Sequence, residues 1–300
     1  TYTRYDSILY IGRYSLFESK EMIYMEKILT PTNYELIPLD DKTNVRFYTS
    51  KDSGSYVAPH WHDAVEIICL QEGELKVVVE NITYELKDSQ CIMISPNRVH
   101  STLCTRPNQA IVFQIPEKFF EKFIPNAKCL SFELKDPADT PVEQSKVDIF
   151  KDTLAKMQFL IEHEPDGAVL KFNSLLFEIL FQLYHNFSTS IVQSDLTRRN
   201  RNLEKLKPVL EYISENYNRN ISLEEIAGIA MFEPKYFCRF FKKYMGTTFL
   251  EYQNEIRLSK IYEDIITTDD KISDILEKHG FTNYKLFRKM FQSHFNTTPT

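Results

Sequence analysis

Two stretches near the C-terminal end of the chain carry one pattern. The first runs Ile221-Ser222-Leu223-Glu224-Glu225-Ile226-Ala227 and then Phe232-Glu233-Pro234-Lys235-Tyr236-Phe237-Cys238-Arg239-Phe240-Phe241-Lys242-Lys243. The second runs Ile272-Ser273-Asp274-Ile275-Leu276 and then Gly280-Phe281-Thr282-Asn283-Tyr284-Lys285-Leu286-Phe287-Arg288-Lys289-Met290-Phe291. Each reads as a short helix, a tight turn and a second helix, with aromatic residues at helical spacing and cations on the opposite face. Ser222 with Glu225 three residues on forms a capping box, and Pro234 falls in a first helical turn, where its missing N–H costs nothing. Glu233 ahead of it is expected to be a poor N-cap. A helix of this build fits the DNA major groove, and two on one chain can read two successive grooves.

Working outward, a periodic stretch from about 248 to 266 joins the two units. Ile256, Ile261 and Ile265 run down one face of it, Leu258 and Tyr262 lie alongside, and Thr267-Thr268-Asp269-Asp270 closes it. Ahead of the first unit, residues 203–217 read as a helix with Leu206, Val209, Leu210 and Ile213 on one side. Residues 188–202 are polar, end in Arg198-Arg199-Asn200-Arg201 and read as a linker, its charge run either simply solvated or touching phosphate. Within 141–187, Val147, Phe150, Leu154, Met157 and Ile161 fall at helical spacing, and so do Leu170, Leu175, Leu176, Ile179, Leu180 and Leu183 beyond the Glu164-Pro165-Asp166-Gly167 break. These two helices cover a β domain, form a dimer seam, or do both through their two sides.

Residues up to about 133 read as strands. The stretches 45–48, 65–70, 75–79, 82–86, 91–94 and 110–115 are short and rich in β-branched and aromatic residues, with turn signals such as Gln71-Glu72-Gly73 and Ser95-Pro96-Asn97 between them. Short strands at regular spacing predict a sandwich or small barrel. The expected architecture is α+β: a β domain over 1–140, a helical connector and dimerisation segment over 141–187, a linker over 188–202 and an all-helical DNA-binding domain over 203–300.

The composition, 43% hydrophobic and 26% charged over 300 residues, is that of a globular protein. No apolar run is long enough to span a bilayer and no signal peptide is visible, so a cytoplasmic protein with no membrane partner is expected. The five cysteines (Cys69, Cys91, Cys104, Cys129 and Cys238) are scattered and read as separate reduced thiols. The net charge of −6 hides an asymmetry: from residue 196 onward there are 17 basic against 14 acidic side chains, and 19 against 28 before it. The basic part coincides with the doubled pattern, as phosphate contact requires. No phosphate-binding loop, serine-nucleophile elbow, HExxH or paired-cysteine motif occurs, so no enzymatic activity is expected on those grounds.

On the two second helices, Lys235, Tyr236 and Arg239 in the first and Asn283, Lys285, Arg288 and Lys289 in the second are the candidate DNA-binding residues. Arg and Lys suit guanine O6 and N7, and Asn suits adenine. Lys242 and Lys243 suit phosphate. In the β domain, His60 and His62 share one strand face and stand near Glu66 and His100. These four residues line an effector pocket, fill a barrel mouth structurally, or bind a metal ion such as Fe, Mn or Zn. Arg46 is a further pocket candidate, and Trp61, alternating away from the two histidines, is expected to face outward.

The C-terminal residues resemble the AraC/XylS family of bacterial transcription regulators over about 203–300. The resemblance rests on Ile221-Ser222-Leu223 with Ile226-Ala227, Pro234 with Tyr236-Phe237, Arg239 with Phe241-Lys242-Lys243, Gly246, Arg257-Leu258, Ile272 with Ile275, Gly280-Phe281, Phe287 with Phe291, and Thr298-Pro299. It implies two helix-turn-helix units joined by a rigid helix. Ile261 and Leu276 stand where the family usually has Ala, Asp264 where an apolar residue is usual, and Asn296 where Gly is common. The larger side chains must push helices apart or be absorbed, so the first unit is expected to be the tighter reader. The N-terminal half resembles a cupin: Gly54, His60, His62, Glu66 and Gly73 follow the first cupin motif, while the second keeps only Pro96 and His100. Together the resemblances imply an activator without a cofactor, acting as a homodimer on double-stranded DNA, meeting RNA polymerase and responding to a small molecule such as a sugar. The alternative is a metal-dependent cupin enzyme, an oxygenase or isomerase, using His60, His62, Glu66 and His100.

Overall fold

A computed structural model describes residues 35, 37–80, 82–104, 106–295 and 297–299, without the side chains of 193, 195, 196, 198 and 199. Asn296 and the side chains of Arg198 and Arg199 therefore lie outside the described residues, as does all of 1–34. Among the described residues, the sheets of the N-terminal domain are built from eight strands: β1 (Arg46–Asp52), β2 (Ser55–His60), β3 (Ala64–Glu72), β4 (Leu75–Val79), β5 (Ile82–Leu86), β6 (Cys91–Ile94), β7 (His100–Cys104) and β8 (Asn108–Pro116). They make two antiparallel sheets, ordered β1-β8-β3-β6 and β2-β7-β4-β5, which face one another as a sandwich. Strand β7 was not anticipated, and of β2 only the end carrying His60 was. Strand β2 is broken by Pro59 and shifts register between Val57 and His60, and β7 opens on His-Ser-Thr, so neither shows an apolar alternation.

Alternation along β3 divides the domain's apolar residues into two groups. Val65, Ile67 and Cys69 point away from the partner sheet and join the core formed with the connector helices, while Ile68 and Leu70 meet Leu75, Val77, Ile92 and Ile94 inside the sandwich. A short helix α1 (Glu117–Glu121) follows β8, and β9 (Leu130–Phe132) later pairs with β10 (Ser188–Ser190). Between them run α2 (Pro141–His163), capped by the Thr140 side chain, and α3 (Ala168–Asn186). Their inner faces, with Val147, Phe150, Leu154, Phe172 and Leu176, close over Phe47 and Phe113. The helices thus cover the β domain, as one of the sequence expectations had it. Leu170, expected on the buried face, is exposed.

The cysteine expectation needs correction. Cys69 and Cys91 occupy directly opposed positions on β3 and β6 and are joined as a disulfide. A pairing across neighbouring strands is set by register, which a separation of 22 residues does not reveal.

Six helices make the C-terminal domain: α4 (Gln193–Asn216), α5 (Leu223–Ile229), α6 (Pro234–Met245), α7 (Phe249–Thr267), α8 (Ile272–Lys278) and α9 (Tyr284–Phe295). Helix α4 takes in most of the polar stretch read as a linker. The capping box at Ser222 forms, and Glu233 is a better cap than its type suggests, because its carboxylate accepts the Tyr236 N–H at 3.0 Å. Ile261 and Leu276, the oversized residues of the second unit, are both absorbed in one apolar cluster with Leu258, Ile275, Phe281 and Phe287. Among the described residues, no helix is long and apolar enough to cross a membrane.

The turns of the two units are equivalent but not equally crowded. Met231 and Gly280 each precede the matching Phe, at φ 55° and 65°. Met231 is 90% exposed, whereas a Cβ on Gly280 would lie 1.7 Å from the Asn218 carbonyl oxygen. Left-handed backbone costs a residue with a side chain about 1–2 kcal/mol, and at Gly280 the overlap adds to it. Gly280→Ala is therefore expected to lower stability in urea unfolding by more than about 2 kcal/mol, while Met231→Gly leaves it unchanged or raises it by up to about 1 kcal/mol.

Candidate functional site

Inside the sandwich one row of residues is polar where its neighbours are apolar. Arg46 on β1 is the register partner of Gln114 on β8, which is the partner of Glu66 on β3. All three are buried. The Arg46 guanidinium donates to Gln114 Oε1 at 3.1 Å and to Glu35 at 3.0 Å, and Gln114 Nε2 donates to Glu66 Oε2 at 3.0 Å. From the opposite sheet, His60 on β2 pairs with His100 at the start of β7. His62, in the turn after β2, places Nε2 2.6 Å from Glu66 Oε2. The ring centroids of His60 and His100 are 4.2 Å apart.

Electrostatics follow from this packing. Burial pushes the Glu66 carboxyl up, but the His100 and His62 imidazoles beside it outweigh that and hold the group well below the usual carboxylate range. Burial works against a charged His62 as well, yet the bond to Glu66 prevails and raises its pKa. His100, desolvated and beside His60, is lowered. These shifts favour charge on both members of the Glu66–His62 pair and a neutral imidazole at His100.

A cupin implies a metal at this place, and the donor set fits one. Nitrogen atoms of His60, His62 and His100 lie within 4.8 Å of one another, as do donor atoms of Glu35, His62 and Glu66. His60 Nδ1 is 2.9 Å from the Ala58 carbonyl oxygen and His100 Nδ1 is 2.8 Å from that of Arg98. A carbonyl only accepts, so these Nδ1 atoms carry the protons and Nε2 keeps the lone pair. His100 Nε2 is buried without a hydrogen bond among the described residues, although Glu66 Oε2 lies 3.4 Å away. Arg46 Nε, a donor, is buried without a partner as well.

Of the expected pocket residues, Arg46, His60, His62, Glu66 and His100 are therefore brought together. Glu35 and Gln114 join them and were missed. Gln114 had a signal, being the one polar residue within Ala110-Ile111-Val112-Phe113-Gln114-Ile115. Glu35 had none. Trp61 corrects an expectation: it points away from the histidines but is 2% exposed, packed into the core of the first helix-turn-helix unit with Val99.

That contact belongs to a wider one. Helix α7 lies along β2, the strand carrying His60. Tyr252 donates its hydroxyl to the Pro59 carbonyl (3.3 Å), Ser259 to that of Tyr56 (3.2 Å) and Tyr262 to that of Gly54 (2.7 Å). His294, near the end of α9, stands edge-on to Tyr56 with ring centroids 4.8 Å apart and pairs with Glu255 of α7 at 3.0 Å.

On α6 the aromatic residues Phe237, Phe240 and Phe241 are buried, and Lys235, Tyr236, Arg239, Lys242 and Lys243 are exposed. On α9, Phe287 and Phe291 are buried and Lys285, Arg288 and Lys289 exposed. None of these cations forms an ion pair among the described residues, apart from the cation–π contact of Lys243 with Tyr244. Asn283 is exposed, but its side-chain oxygen caps α9 by accepting the Leu286 N–H at 3.0 Å. Its preference for adenine therefore competes with a structural duty.

Comparison with known proteins places both halves. Residues 226–300 match a family described as a helix-turn-helix domain, and residues 43–103 match the AraC-like ligand binding domain. The chain is 32% identical over 95 residues to the regulatory protein PocR of Salmonella typhimurium, covering 32% of this chain and 31% of that one. It is 28% identical over 143 residues to the lactose operon transcription activator of Staphylococcus xylosus, covering 47% of this chain and 49% of the relative. With YdeC of Bacillus subtilis, an uncharacterized HTH-type transcriptional regulator, it shares 21% identity over 83% of this chain and 87% of that one. The chain thus spans about a third of the length of PocR and about half that of the lactose operon activator. Gln114→Leu, which strips Glu66 of a donor and Arg46 of an acceptor, is expected to cost about 1–3 kcal/mol in urea unfolding.

Proposed function

Because this chain belongs to the AraC family of helix-turn-helix regulators and carries an AraC-like ligand-binding domain, we propose that it is a sequence-specific DNA-binding transcription activator switched by a small hydroxylated molecule, a sugar being the effector class. One observation carries the effector reading. Among the described residues, the cluster holds a buried acceptor without a donor, His100 Nε2, and a buried donor without an acceptor, Arg46 Nε. Buried polar groups left unmatched cost free energy, and hydroxyl groups, which both donate and accept, supply what each lacks. Similarity to a lactose operon transcription activator agrees with that chemistry.

Arg239, Lys235 and Tyr236 on α6, with Lys285, Arg288, Lys289 and Asn283 on α9, read base edges, and Lys242 and Lys243 hold phosphate. Strand β2 connects effector to DNA. It carries His60 of the cluster and, with Gly54 just ahead of it, hands the carbonyls of Gly54, Tyr56 and Pro59 to α7, so an effector that moves it biases the placement of the helix joining the two units. Such a ligand shifts the equilibrium only by its difference in affinity for the two arrangements. The exposed faces of α2 and α3, with Ile149, Phe159, Phe177 and Phe181, meet a second copy in a homodimer. The setting is the cytoplasm, where DNA and RNA polymerase are met.

The reading is tested by footprinting the full chain with and without a panel of sugars. A selected site whose occupancy changes with one sugar supports it, and sugar-independent binding removes the effector half. Arg239→Ala is expected to cost about 1–3 kcal/mol and to relax selectivity at one base position; an equal loss on every sequence makes it a phosphate contact instead.

A second reading, a metal-dependent sensor or cupin enzyme, draws on the same unpartnered His100 Nε2. His60, His62, Glu66 and His100 would hold the ion, which would supply Lewis-acid polarisation of a bound oxygen. The buried Arg46 guanidinium disfavours a cation, whereas it suits a hydroxyl. Metal analysis of protein purified without chelator separates the two: less than about 0.1 equivalent is expected, and a stoichiometric ion lost in His62→Ala favours the second.

A further inference from the structure

Asp264 stands on the joining helix where its relatives' pattern calls for an apolar residue, and its surroundings explain why. The segment Tyr217-Asn218-Arg219, just past the end of α4, is gripped from two directions. From α7, Gln253 Nε2 donates to the carbonyls of Tyr217 (3.1 Å) and Arg219 (2.8 Å), and Arg257 donates to the same two at 2.6 and 2.8 Å. From the second unit, the turn after α8 comes so close that only a glycine at 280 clears the Asn218 carbonyl.

A directional chain of side chains crosses this junction. The Tyr217 hydroxyl lies 2.9 Å from His279 Nδ1, and His279 Nε2 lies 2.8 Å from Asp264 Oδ2. A carboxylate only accepts, so His279 donates through Nε2, while its Nδ1 shares a hydrogen bond with the Tyr217 hydroxyl. Lys278 Nζ reaches the same carboxylate oxygen at 2.7 Å. Burial pushes Asp264 up, but its two donors outweigh that and hold it ionised. His279 is 4% exposed, and with an apolar residue at 264 its Nε2–H would be buried without an acceptor.

The apolar contacts of Leu258, Ile261 and Leu276 hold the second unit against the joining helix but tolerate sliding and rotation. Hydrogen bonds limit both distance and angle. We propose that Tyr217, His279 and Asp264 are positioning residues that fix the second helix-turn-helix unit against the first and so set the half-site spacing the chain accepts on DNA. The proposal rests on the DNA-reading function argued above.

The test uses the full chain and duplexes that the wild type selects from a random library, rebuilt with 1 or 2 base pairs added or removed between the half-sites. The wild type is expected to lose ~10-fold or more in affinity per base pair of misplacement, since each step turns the second half-site about the duplex axis. His279→Leu and Asp264→Leu are expected to bind an isolated first half-site within ~2-fold of wild type while their spacing penalty falls to ~3-fold or less. His279→Gln, which keeps one donor and one acceptor, restores part of the penalty. Tyr217→Phe removes one hydroxyl, keeps the packing and is expected to fall between. Folding is checked by circular dichroism; if the Leu variants unfold, Tyr217→Phe and His279→Gln decide. Folded variants that keep the wild-type penalty overturn the proposal alone. A wild type that selects no sequence overturns the DNA-reading function and the proposal with it.

Discussion

Helix α7 is engaged on three sides, and the arrangement of the molecule depends on that enclosure. Tyr252, Ser259 and Tyr262 meet β2 and the Gly54 ahead of it, Gln253 and Arg257 meet the segment after α4, and Leu258, Ile261 and Asp264 meet α8 and the turn after it. A helix turns about 100° per residue, so one segment can present three chemically distinct faces. The β2 and α4 faces act largely through hydrogen bonds to backbone carbonyls, and the α8 face mixes apolar packing with one carboxylate. Because all three share one rigid rod, displacement of β2 is felt at both DNA-reading units.

The polar row across the sandwich is the opposite kind of constraint. Burying a carboxylate, a guanidinium and three imidazoles between sheets opposes folding unless nearly every donor and acceptor is matched. Most are matched here, through Gln114 and Glu35 among others. An apolar interior would be simpler, as the opposite end of the same sandwich shows with Ile68, Leu70, Val77 and Ile92. Departures of this sort from local consistency concentrate where a protein binds something.

Much of the architecture is readable from residue patterns. The doubled helix-turn-helix shows because the buried aromatic residues of α6 and α9 repeat at helical spacing and Ser222 and Pro234 mark helix starts. Strands β3, β4, β5 and β6 show because they are short runs rich in β-branched and other apolar residues with turn signals between them. Strand β2 does not, because Pro59 and its register shift break the alternation, yet it is the element that joins the two halves. In the pocket, His60, His62 and Glu66 are legible from their spacing. Glu35 and the Arg46–Gln114 pairing depend on which strands become neighbours, which no local pattern encodes. Trp61 was misplaced for a related reason: its direction relative to the histidines follows from alternation, but what lies on that side comes from residues almost 200 positions away. The Cys69–Cys91 bond is likewise a matter of register.

The only tryptophan in the sequence is also the residue wedged between the effector domain and the first DNA-reading unit. Its indole is 2% exposed with the two in contact. The chain thus carries an intrinsic optical reporter at the seam, whose emission maximum moves to longer wavelength when the seam opens, with no dye or label attached.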